Sequence, residues 1–178
     1  MAINKTDMAQ EIIDAMAAVP FDPDNQPSPQ DYMTEFGTAM KTYLENNLEV
    51  SYSWTATTPP PASVPDPVTS FDASVTFPTF TLTSPADISL FGPMIQLQLA
   101  GAIITPDDPT FILPPGTFLP VAPIVVTQSG KDNTKDAIEF LCDQVIISLK
   151  TWINPTPIPG THLTFVTPTP GAIMTSIS

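Results

Sequence analysis

The sequence predicts an α+β fold: a β-rich, proline-heavy antiparallel sheet or sandwich, two or three amphipathic helices, and extended arms. Three observations predict it. Asn133–Ile153 carries apolar residues at helical spacing, with Ile138, Leu141, Val145, Leu149 and Trp152 recurring every three or four positions. The middle of the chain switches to alternation at period two, in short runs. Proline makes up 23 of 178 residues, against an average near ~5 %, so the connections between elements are extended rather than coiled.

The helix at Asn133–Ile153 has its own punctuation. Asn133 suits an N-cap, Asp132 and Asp136 lie at the positive end of the macrodipole, and Lys150 lies near the negative end. Asn154-Pro155 stops it. Cys142, Ile146 and Ile153 widen the apolar stripe beyond what a solvated helix needs, which predicts a core helix before an interface helix.

From the start of the chain, Asp7–Ala18 is a short helix with Met8, Ile12, Ile13 and Met16 on one face, and Asp7 with Gln10 as a cap pair. FDPDNQPSP is a turn-rich linker. A second helix runs from Pro29 to Asn46, with Ser28 as N-cap, proline at the first helical position and Asp31 completing an S-x-x-D pattern. Its stripe is Tyr32/Met33, Phe36, Met40 and Tyr43/Leu44.

LEVSYSWTATT then alternates as a strand, with Val50, Tyr52 and Trp54 on one side. Pro59–Pro67 is polyproline-like. Phe71, Ala73, Val75 and Phe77 share the face of a further strand, which Pro78 demotes to an edge or bulge before Phe80 and Leu82. Met94–Ile104 reads as a strand with Gln96 and Gln98 opposite apolar neighbours, PDDP as a turn, and Phe111–Leu113, Phe118–Thr127 and His162–Thr167 as short strands. Pro168–Ser178 has no core pattern but keeps Ala172, Ile173, Met174 and Ile177, as expected of an arm that lies on another surface. The regions are therefore 1–48 (helical), 49–130 (β-rich, Pro/Thr-rich) and 131–178 (helix plus C-terminal arm), together forming one structural unit.

Charge excludes whole classes of function. The net charge is −13, there are five lysines and no arginine, and no cation occurs between Val50 and Gly130. Such a surface repels polyanions, so neither nucleic acid nor an anionic membrane is an expected partner. The polar Met1 end is not a secretory signal and no run of ~18 apolar residues occurs, so the expectation is a chain made in a reducing cytoplasm.

No chemistry-bearing motif emerges, and the expectation is no enzyme, no cofactor and no metal. His162 is the sole histidine and lies in a Pro/Thr-rich segment without a nucleophile signature. Cys142, the only cysteine, sits on the apolar side of its helix and reads as a small buried hydrophobe. Asp107-Asp108 lacks calcium-loop spacing and reads as turn capping. The aromatics Tyr52, Trp54, Phe71, Phe77, Phe80, Phe91, Phe111 and Phe118 read first as sheet packing.

An amphipathic helix such as YMTEFGTAMKTYLENN, a Thr/Val/aromatic strand after it, and connections of the TTPPP and PTPIPG type resemble small structural proteins of tailed-bacteriophage virions. The arginine-free, Thr/Pro-rich style is similar to that group as well. The resemblance implies a non-enzymatic virion subunit, in the tail, baseplate, neck or head decoration, made in the host cytoplasm and built into a symmetric oligomer with copies of itself and other virion proteins. It transfers no functional residue. Helix faces and extended arms are the expected contacts: Met33, Phe36, Met40 and Leu44 on the second helix, and Ile173, Met174 and Ile177 in the arm. Leu44→Asp or loss of 168–178 is then expected to abolish assembly. The alternative is a β-sandwich binding module recognising carbohydrate or a host surface through exposed aromatics around Trp54 and Phe91.

Overall fold

The computed structural model describes residues 3–53, 70–84, 90–107, 111–112, 123–126, 134–151, 161–162 and 173–177. Among these the fold is α+β, with four helices, one four-stranded antiparallel sheet and one two-stranded pair. The helices are α1 (Lys5–Ala17), α2 (Pro29–Asn47), α3 (Phe91–Leu99) and α4 (Thr134–Thr151). The strands are β1 (Val50–Ser53), β2 (Ser70–Thr76), β3 (Ile103–Pro106), β4 (Phe111–Ile112), β5 (Thr161–His162) and β6 (Ile173–Ile177). The larger sheet has the order β3-β2-β1-β6, and β4 pairs with β5. Of the expected sheet or sandwich, the antiparallel sheet is present, and the helices share one core with it.

Local chemistry sets the helix ends. In α2, Ser28 and Asp31 form the reciprocal capping box, the Ser28 N–H donating to Asp31 Oδ2 at 2.7 Å and the Asp31 N–H to Ser28 Oγ at 3.3 Å. α1 starts earlier than expected because Asn4, not Asp7, is its cap: Asn4 Oδ1 accepts the Thr6 N–H at 2.8 Å. Gln10 instead donates to Asp14 along the exposed face. The linker after α1 is closed by a bridge between Asp22 and Asn25, with Asp22 Oδ1 accepting the Asp24 N–H.

Two helical stripes enter the core as their periodicity demands. α4 buries Ile138, Leu141, Cys142, Val145, Ile146 and Leu149, while Trp152 and Ile153 lie outside the described residues. α2 buries Phe36, Met40, Tyr43 and Leu44 against the same core, and Met33 packs on its margin. α1 packs against both α2 and α4. The Tyr43 hydroxyl ties α2 to the start of α1: it accepts the Asn4 N–H at 2.8 Å and donates to the Asn4 carbonyl at 3.1 Å.

The sheet gives its core face to Val50, Ala73, Val75 and Ile104, in line with the alternation of β2. Two expectations for the middle of the chain fail. Met94–Ile104 is not one strand: α3 occupies Phe91–Leu99, and only Ile103–Pro106 joins the sheet. Phe91, Ile95 and Leu99 recur at i, i+4 and i+8 and are buried, while Leu97, which completes the apparent alternation, is 72 % exposed. Met, Gln and Leu are good helix formers, and Pro93 falls in the first turn, where its missing N–H costs no helical bond. Secondly, Pro123–Val126, the described part of the expected Phe118–Thr127 strand, joins no sheet. It crosses α3 at Gly92, where a Cβ would be driven into the Ile124 carbonyl.

Phe77–Ser84 follows β2 without ladder pairing, yet Phe77, Phe80 and Leu82 are buried. Side chains supply what a neighbouring strand would. Glu45 Oε1 accepts the Phe77 N–H at 2.9 Å, Gln98 Oε1 accepts the Thr81 N–H at 3.4 Å, and Gln30 Nε2 donates to the Leu82 carbonyl at 2.7 Å. Gly37 lets this segment lie on α2, since a Cβ there would meet Phe80 Cβ at 3.1 Å.

Candidate functional site

The expected contact residues separate into two groups. Phe36, Met40 and Leu44 are at most 2 % exposed in the single chain. These three side chains belong to the buried core of the chain. Met33 is half-buried at its margin. Ile173, Met174 and Ile177 all fall in β6, at one edge of the four-stranded sheet. The C-terminal segment is therefore a paired strand over Ile173–Ile177, antiparallel to β1, with Val50 opposite Ile177 and Ser53 opposite Ile173. The register shifts between Ser51 and Tyr52, which marks a bulge in the ladder.

The remaining candidates carry little chemistry. Cys142 is fully buried, and desolvation pushes its thiol up to about 12, helped by the nearby Glu139 carboxylate. A thiol held neutral in this way is a poor nucleophile. Tyr43 is also raised, first by burial and then by the Asp7 and Glu11 carboxylates, against the lowering effect of its bond to Asn4. The His162 backbone pairs with Phe111 in the β4–β5 ladder. Asp108 lies outside the described residues. Asp107 donates its N–H to the Asp72 carbonyl at 2.9 Å, and its Oδ1 accepts from Ser74 Oγ at 3.1 Å. Ser51 Oγ donates to Asp72 Oδ1 at 2.7 Å. These two carboxylates are thus occupied on the outer face of the sheet by serine hydroxyls. Among the described residues no three His, Cys, Asp or Glu side chains converge to hold a metal ion, and no helix is long and apolar enough to cross a membrane.

A groove of about 530 Å³ lies between the end of α1, the following linker and the start of α2. Its wall carries Asp22, Asp31 and Glu35, with Val19 and Pro20, and neither a cation nor an aromatic ring. A sugar would find no stacking platform there. Phe91, one of the two aromatics expected to mark a binding face, is buried and packs edge-on against Phe36 with ring centroids 5.4 Å apart. Trp54, the other, lies outside the described residues.

What sequence reasoning missed is a surface feature. Leu90, Leu97, Ile103 and Val125 are exposed, and the stretch Ile88–Pro106 that holds the first three has no charged residue. Thr151–Ser178, which holds β6, has none either. The signal was in the charge distribution rather than in any motif: the acidic side chains concentrate on α1, α2, α4 and the turns. No protein-family model, curated protein or solved structure matches this chain.

Proposed function

We propose that the chain is a non-enzymatic structural subunit of a tailed-phage virion, assembling through its C-terminal strand rather than through a helix face. The observation that carries this reading is the placement of Ile173–Ile177. Thr151–Ser178 is an uncharged stretch of a strongly acidic chain, and it holds a strand at the edge of the principal sheet. An uncharged, β-forming edge is a contact through which subunits of like charge can meet. The burial of Cys142, the serine-capped Asp72 and Asp107, and the acidic groove without a cation or aromatic all favour an assembly role over catalysis or sugar binding.

The test is native mass by light scattering at low micromolar concentration, with and without residues 168–178, together with a search for the chain's peptides in purified virions. The expected result is an oligomer of the 19.1 kDa chain that dissociates on truncation, and the chain among the particle's proteins. A monomer unchanged by truncation, and absent from particles, refutes it.

A further inference from the structure

We draw no further inference here: the strongest candidate, the uncharged surface patch of α3 and β3 that exposes Leu90, Leu97 and Ile103, is an apolar face for which nothing in the structure shows what covers it.

Discussion

Leu44 decides between two accounts of α2. Its side chain is fully buried, in a core that joins α1, α2, α4 and the sheet. Truncation to alanine removes buried methyl groups and leaves a cavity, at a typical cost of ~2–5 kcal/mol for a core leucine. For a domain of this size each kcal/mol moves the midpoint by ~2–4 °C, so Leu44→Ala should lower Tm by roughly 4–20 °C. Leu44→Asp adds an unpaired buried carboxylate, several kcal/mol more. The sum approaches or exceeds a total stability of ~5–15 kcal/mol, and that variant should not fold. The assay is urea unfolding followed by far-UV circular dichroism at two protein concentrations. A core role shifts the midpoint of Leu44→Ala by the same amount at both. A loss below ~1 kcal/mol, accompanied by a change in native mass, would place Leu44 against a neighbour and refute its assignment to the core.

Two further outcomes follow from single contacts. Glu45 accepts the Phe77 N–H at 2.9 Å and pairs with Lys41 at 2.6 Å, with its side chain 25 % exposed. Glu45→Ala should cost ~1–2 kcal/mol and speed hydrogen exchange at the Phe77 amide, whereas Glu45→Gln keeps an acceptor and should retain most of that protection; equal losses in the two variants would contradict the role. Burial pushes the Cys142 thiol up to about 12 from the ordinary 9.0. Its contribution is therefore intact below about pH 9 and is lost as pH rises toward about 12, at up to ~1.4 kcal/mol per unit, because only the unfolded chain releases the proton in that window. Tyr43, raised from 10.0, acts in the same direction. Urea midpoints should decline from about pH 9 upward, with a shallower decline in Cys142→Ala; parallel profiles would exclude the thiol as a cause.

The helices were legible because their information is local. Ser28, Pro29 and Asp31 specify the start of α2 within four residues, and the stripe from Phe36 to Leu44 specifies its buried face. What periodicity could not supply was the identity of the covering surface. A stripe packed on α1 and a stripe packed on a second subunit have the same sequence, and only burial within the chain separates them. The α3 region was misread for a related reason. Ile95, Leu97 and Leu99 satisfy period two, Phe91, Ile95 and Leu99 satisfy period four, and nothing local says that Leu97 is the residue left outside.

The non-local part of the fold was the least legible, and it is also where the candidate contact lies. β6 pairs with β1 across most of the length of the chain, through a ladder with a bulge, and its apolar residues Ile173, Met174 and Ile177 do not fall at period two. Phe77–Ser84 shows the same limit from the other side: it alternates well enough to read as a strand, yet Glu45, Gln98 and Gln30 hold it in place of a ladder. Charge was the readable variable in both regions. Glu45, at the end of α2, meets a backbone N–H that would otherwise be buried unpaired, so a charge inside the fold marks a strand partner that is missing. Thr151–Ser178 shows the converse, an uncharged stretch whose strand Ile173–Ile177 is held by backbone pairing with β1.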